Sequence, residues 1–476
     1  MMLHGRFRKN LHVLLVLCLS AVVMGSSVSA QASDRTTQVI NTLEQHNQNL
    51  SSEDRQTKYC KMASSPFLFY RGSNHLFWED FATDSRLSQF GNNKTKIWIQ
   101  GDLHTDNYGS FDNDEGEIVY TLNDFDESVV ADYQFDVWRM AISLVLVANQ
   151  NNQLAQETVL TSDDIDIALK AFTKNHLDTA ASYRGNDREL DIEFTKNNTY
   201  GRLDDFLEDI ESEESHKELL DKWTVEAGER QFDLSNPKLE SVSANIREAI
   251  LKEMVNYGQT LTGARSYGPD HFRIKDIAHR VNAGTGSLGT PRYYVLIEAG
   301  NDSDQDDDHI LDVKLQGLPT PYVYGSNRDR NSYEQQFLDN HALRHAIAYR
   351  ALTKNTDDYL GWMQFDIPNY AGGYYSVRAL SPYKEALDTT KLYTPTRLTK
   401  LAEQWGSILA TAHARADKDF DDTYVPYSFD KQLDEATDGA KSEFHQLVQT
   451  IAHSYAEQVN ADWQSLLTSG LVNNCG

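Results

Sequence analysis

Residues 100–128 read Gln-Gly-Asp-Leu-His-Thr-Asp-Asn-Tyr-Gly-Ser-Phe-Asp-Asn-Asp-Glu-Gly-Glu-Ile-Val-Tyr-Thr-Leu-Asn-Asp-Phe-Asp-Glu-Ser. The stretch is a carboxylate-rich loop followed by a hairpin. Ile97 to Gln100 and Tyr108 to Phe111 are short β-type runs, Asp112 to Gly116 is a polar turn, and Glu117 to Leu122 alternates as a half-buried strand does. A hairpin brings its open ends together, so Asn107 and Asp124 are predicted side by side, with Asp102 on the loop leading in. Two carboxylates and an amide carbonyl in one pocket suit a hard divalent cation such as Mg²⁺, which takes oxygen ligands together with substrate phosphates and water.

The spacing Gly101-Asp102-Leu103-His104-x-x-Asn107, then Asp124-Phe125-Asp126 seventeen residues after Asn107, resembles the catalytic and metal loops of aminoglycoside-phosphotransferase-like kinases. The resemblance implies that Asp102 orients or deprotonates an acceptor hydroxyl, with His104 beside it as the second catalytic candidate. It implies that Asn107 and Asp124 hold Mg²⁺ on a nucleotide, with Asp126 as a further metal or supporting group.

Working outward, residues 132–148 carry a near-continuous apolar run from Val137, a buried helix. Asp136 at its start would accept orphan N–H groups. In the resembled kinases an Asp at this place braces the catalytic loop, so Asp136 reads as structural. Residues 151–262 read mostly as amphipathic helix. From Ile274 the character changes to strand, glycine loop (Gly284-Thr285-Gly286-Ser287-Leu288-Gly289), strand, acidic turn and strand. A dinucleotide-binding glycine loop should open a helix; here a strand follows, as in the kinase glycine loop, whose backbone N–H groups approach phosphates. Lys314 falls on the third strand, where kinases carry the lysine that pairs the α/β-phosphates. Gly284, Gly286, Ser287, Gly289, Lys314 and Arg378 are therefore the nucleotide-binding candidates, with Glu334 on a helix 332–352 as the expected ion-pair partner of Lys314. Strands at 359–365 and 374–379 would complete a five-stranded sheet. Helices are expected over 396–416, ending in Ala412-His413-Ala414-Arg415, and over 440–468. Upstream, Ser65-Pro66-Phe67 reads as an extended entry, and Arg71 as one half of a structural salt bridge.

At 476 residues the chain can bury a large core. Its formal charge is −27. Arg6, Arg8 and Lys9 lie in the first 30 residues; removing those three from the 44 basic residues leaves 41 against 71 acidic. That balance argues against nucleic acid as a partner, because phosphate neutralisation needs Lys and Arg in excess. Residues 1–30 read as a signal peptide: a basic start, an apolar stretch Leu11 to Met24, and small residues offering cleavage after Ala30 or Ala32. The apolar run is too short to span a bilayer, and no transmembrane segment is expected in the mature chain. The expectation is an exported protein, periplasmic or extracellular. Export leaves Cys60 and Cys475, which in an oxidising compartment would pair and tie the chain ends together, with two free thiols as the alternative.

As a set, Ser65-Pro66-Phe67 with Arg71-Gly72, Gly101 to His104 with Asn107, Asn123 to Glu127, Asp136 with Arg139, Gly284 to Gly289, Lys314, Leu360-Gly361-Trp362, Tyr375 with Arg378, and Ala412 to Arg415 resemble the bacterial domain-of-unknown-function family 2252. The resemblance implies an α+β, two-lobed protein-kinase-like fold with a small antiparallel β lobe and a larger helical lobe. The family usually has an acidic residue after the lysine, where this chain has Leu315-Gln316. The order of parts is inverted relative to ordinary kinases: Asp102, Asn107 and Asp124 precede Gly284 and Lys314, and the helix 396–416 comes last. A circular permutation explains this order. The chain then divides into 31–270 (helical lobe, first part, with catalytic and metal loops), 271–385 (β-rich nucleotide lobe) and 386–476 (helical lobe, second part). The implied activity is Mg-ATP-dependent phosphoryl or nucleotidyl transfer to an unknown hydroxyl acceptor. The alternative is a pseudokinase that binds without turnover, favoured by the scarcity of ATP outside the cytoplasm. A metal-dependent hydrolase built on Gly-Asp-x-His would need further His and Asp motifs that the sequence lacks.

Overall fold

The computed structural model describes residues 34–262, 267–268, 270–300, 305–366 and 372–475. The signal-peptide reading of residues 1–30 lies outside them. The architecture is mixed α+β: a six-stranded antiparallel sheet and a helical body, with three two-stranded ribbons.

The sheet runs in the order Gly361–Phe365, Gly373–Ala379, His309–Leu315, Arg292–Ile297, Ile274–Arg280, Leu239–Ser241. Its strands are apolar on both sides, since side chains alternate between two covered faces. On one face Tyr293, Val295, Leu311, Val313 and Tyr375 pack against Ile250, Met254 and Tyr257 of the helix Ala244–Gly258. On the other, Tyr294, Leu296 and Ile310 pack against Leu219, Leu220, Trp223 and Phe232.

Five strands follow from the sequence pattern; the structure has six. The sixth, Leu239–Ser241, and the hairpin Thr224–Ala227/Glu229–Phe232 come from a stretch whose pattern reads as helix. Neither is long enough to show alternation. Ion pairs dock the hairpin beside the sheet: the buried Arg230 reaches Asp306 (3.0 Å), and Arg273 Nη1 donates to Glu229 (2.5 Å). Residues before position 271 thus contribute a strand, a helix and a hairpin to the packing around the sheet.

In the helical body, every residue from Gln134 to Ala148 of the helix Gln134–Ala155 is buried, as its apolar run requires. The helices Lys441–Thr468, Pro66–Gly72 and Ser162–Tyr183 pack around it. Pro395–Arg415 lies along Ser162–Tyr183. Gly406 permits that approach: a Cβ there would stand 2.2 Å from the Phe172 carbonyl oxygen.

Two local expectations change. Residues 66–72 form a helix, with Ser65 extended as its N-cap and Pro66 in the first turn, where its missing N–H costs nothing. The expected helix 332–352 is two helices, Asn327–Phe337 and His341–Leu352, because Leu338 and Asp339 adopt positive φ (47° and 65°) and Asn340 caps the second.

Cys60 and Cys475 form a disulfide (Cα–Cα 5.3 Å) that joins the helix Ser52–Ala63 to the C-terminal turn. Among the described residues no helix is long and apolar enough to cross a membrane.

Candidate active site

The loop at 100–107 is held rigidly from below. The strand Lys96–Ile99 pairs with Val129–Asp132. Where it ends, Asp136 accepts the N–H groups of Gln100 (2.7 Å) and Gly101 (3.0 Å) and contacts His413 Nε2 (3.2 Å). Asp136 is therefore the brace that its position suggests, and His413 is a buried core histidine. The Gly101 carbonyl accepts from Trp78 Nε1 (2.9 Å). Gly101 has φ +84°, and a Cβ there would meet the Glu127 carbonyl oxygen at 2.1 Å. Only glycine lets the 100–107 loop and the Asp124–Glu127 segment touch.

The hairpin Tyr108–Asp112/Ile118–Leu122 has Tyr108 opposite Leu122, and the Asn123 N–H donates to the Asn107 carbonyl (3.2 Å). The predicted convergence of Asn107 and Asp124 is thus what the register delivers. Asp102, His104, Asn107, Asp124 and Asp126 all line one cleft of about 470 Å³, together with Gly284, Gly286, Ser287, Gly289 and Lys314.

Within it, Arg139 grips Asp102 through Nε (2.8 Å) and Nη2, both on Oδ1. The buried guanidinium lies over the Tyr70 ring at 4.2 Å. Burial pushes the Asp102 carboxyl up to about 6, with the Asp124 charge adding to it and Arg139 opposing. The Asn107 amide nitrogen donates to the Asp102 carbonyl (3.0 Å), which leaves its carbonyl oxygen as an acceptor. Among the described residues no Lys, Arg or His lies within ion-pair distance of the Asp124 carboxylate. An amide oxygen and an unpaired carboxylate in one cleft are donors that fit Mg²⁺.

Asp126 is different. Lys314 Nζ and Gln316 Nε2 (2.8 Å) hold its two oxygens, and His345 Nε2 stands 3.7 Å away. Burial opposes ionisation there, but Lys314, His345 and Gln316 hold Asp126 well below the usual carboxylate range. Both its oxygens bond within the chain, which makes it the anchor of Lys314. Lys314 accordingly does not pair with Glu334, which is exposed on the helix Asn327–Phe337. Gln316 completes the grip on Asp126.

His104 is buried, its ring edge-on to Phe67 and its Nδ1 without a hydrogen-bond partner. Burial, with Arg71 and Arg139 nearby, keeps it well below the ordinary histidine value, so it is neutral. Arg378 does not line the cleft. Its guanidinium faces Asp312 (3.7 Å), which Arg292 also holds (Nε, 2.6 Å). Arg71 pairs with Asp106 (2.6 Å) at the cleft wall, the salt bridge expected of it.

Three contributors have no role in the sequence reading. Glu127 lines the cleft and accepts the Thr320 N–H (2.6 Å). Burial and the Asp102 charge push it up to about 7. Lys58, buried, donates to the Gly286 carbonyl (3.3 Å), and Lys61 to the Gly284 carbonyl (2.9 Å), so two lysines of one helix carry the glycine loop. Burial brings Lys58 down to about 8 against the attraction of Glu127 and Asp102. Glu127 is adjacent to Asp126 in sequence and was available as a third acid. Lys58 and Lys61 carry no local signal, since their target lies more than 200 residues away in the chain.

No curated protein and no solved structure matches the chain. The family model described as "Uncharacterized protein conserved in bacteria (DUF2252)" matches residues 50–469. That span holds the whole cleft except Asn49, and the chain belongs to the DUF2252 family.

Proposed function

We propose that the protein is a Mg-ATP-dependent phosphotransferase of circularly permuted, two-lobed kinase-like fold, acting on a hydroxyl-bearing acceptor. The observation that carries this reading is the meeting of two chemistries in one cleft. The Asp102/Asn107/Asp124 set faces the glycine loop and Lys314, and Lys314 and Asp126 are in contact although 188 residues apart. The disulfide between Cys60 and Cys475 supports the permutation, which needs the chain ends close together. It also supports export to the periplasm or beyond, where such bonds persist.

Asn107 and Asp124 would hold Mg²⁺, which when bound offsets charge on the nucleotide phosphates. Lys314, steadied by Asp126 and Gln316, presents its ammonium to the phosphates. The glycine loop, carried by Lys58 and Lys61, offers backbone N–H groups. Asp102 keeps Oδ1 on Arg139 and turns Oδ2 to the acceptor hydroxyl. A carboxyl pushed up to about 6 is a better proton acceptor at neutral pH than an ordinary aspartate. Phosphoryl transfer is the default; nucleotidyl transfer would need only the reversed nucleotide.

The test is turnover with water as a surrogate acceptor. With Mg²⁺ and ATP the wild type should release phosphate slowly. Asp102→Asn should reduce that rate by about 10²-fold with nucleotide affinity unchanged. Binding without turnover, insensitive to Asp102→Asn, would assign the chain to the pseudokinase reading instead.

A further inference from the structure

Away from the cleft, the turn at 187–191 meets the loop at 417–430. Asp187, Glu189 and Asp419 each offer a carboxylate oxygen there, all within 4.8 Å of one another. Asp417 and Asp430 stand close behind, raising the local negative potential. Glu189 is 2% exposed, and its Oε2 has no hydrogen-bond partner. Among the described residues no Lys, Arg or His lies within ion-pair distance of the Glu189 carboxylate; Arg188 on the same turn reaches Asn186 Oδ1 (2.8 Å) and the Ser182 carbonyl (2.6 Å). The Arg415 guanidinium is spent on the backbone carbonyls of Glu189 (2.7 Å) and Ile192 (2.6 Å). Lys418 pairs with Asp419 Oδ1 (2.8 Å) at the exposed rim. Asp417 uses both oxygens on backbone N–H groups of Asp419 (2.9 Å) and Phe429 (2.6 Å).

The other acidic trio, Glu298, Asp307 and Asp308, shows the contrast. There the Lys275 ammonium contacts Glu298 and Asp308 directly. In the 187–189–419 group Lys418 reaches Asp419 at the rim, and among the described residues no cation pairs with the buried Glu189.

We propose that Asp187, Glu189 and Asp419 form a structural Ca²⁺ site that fastens the 187–191 turn to the 417–430 loop. The donors are hard oxygens only, which disfavours zinc. They come from two separate loops, which suits the large, geometrically tolerant Ca²⁺ better than Mg²⁺. Oxygens bound to one Ca²⁺ at its usual distances lie at most roughly 5 Å apart, and the three present oxygens meet that limit. The site shares no residue with the catalytic cleft.

The experiment is thermal unfolding of the chelator-treated full mature chain with and without about 1 mM Ca²⁺, the range in which extracellular calcium modules bind. Wild type should gain about 2–4 °C. Asp124→Ala should show the same gain. Glu189→Gln should show none, and without metal it should be no less stable than metal-free wild type. Asp187→Asn, at the exposed rim, should shift the Ca²⁺ midpoint about tenfold upward at unchanged metal-free stability, a readout that survives if Glu189→Gln fails to fold. Absence of any Ca²⁺ effect on wild type, an equal gain in Glu189→Gln, or loss of the gain in Asp124→Ala would overturn the proposal.

Discussion

Replacing Glu127 by Gln should stabilise the protein at alkaline pH and leave it nearly unchanged at acid pH. Glu127 is carried into the cleft by the short segment after Phe125, where burial and the Asp102 charge raise its carboxyl from the ordinary 4.5 to about 7. The unfolded chain loses this proton first as pH rises. Between the two values the native state binds more protons than the unfolded state, so stability falls as pH rises through that window. The raised value is worth about 3 kcal/mol of destabilisation above pH 7. Gln keeps an acceptor for the Thr320 N–H and carries no charge. Urea unfolding at about pH 8 should show Glu127→Gln up to about 3 kcal/mol more stable than wild type, with equal m-values, and most of that gain should vanish at about pH 5. A variant less stable at pH 8, or a gain of the same size at both pH values, would refute the reasoning. A stabilising change inside the cleft would also mean that Glu127 is kept there at a cost to stability, the pattern expected of a functional carboxylate.

Removing the disulfide with Cys60→Ser and Cys475→Ser should lower stability by up to about 6 kcal/mol in the chain-entropy model for a separation of 415 residues; calorimetry checks the loss, and alkylation without reductant should find no free thiol at either position of the wild type. Asp136→Ala should leave the Gln100 and Gly101 N–H groups unpaired in the interior and cost about 3 kcal/mol, read as a lower urea midpoint. Arg139→Met should free Asp102 from its ion-pair partner and move the acid limb of the turnover profile to higher pH, because the guanidinium holds the Asp102 carboxyl down; an unmoved limb would remove Asp102 from the proton-transfer role.

The site's acidic half was legible because it is local. Asp102, Asn107 and Asp124 are brought together by one hairpin whose register follows from alternation at Glu117 to Leu122, and the register is as expected. The glycine-loop half was legible as parts, because a glycine loop between strands and a lysine on the third strand each have a short-range pattern. What could not be read was who touches whom across the cleft. Lys314 pairs with Asp126 and not with Glu334, since the choice depends on how the sheet sits on the helical body. Arg378 sits on the strand beside Lys314, yet it turns to Asp312, already shared with Arg292, and away from the cleft. The strand Leu239–Ser241 escaped because three residues cannot show a period. The helix Ala244–Gly258 was legible as a helix, but that its apolar stripe covers the sheet depends on tertiary packing.

The kinase reading stands or falls on a titration of the purified mature chain with ATP, with and without Mg²⁺, beside Asp124→Ala. Mg²⁺-dependent binding in the wild type, lost in Asp124→Ala, is the predicted result. Binding that ignores Mg²⁺ or survives Asp124→Ala, or no binding at roughly millimolar nucleotide, would contradict a nucleotide site in this cleft.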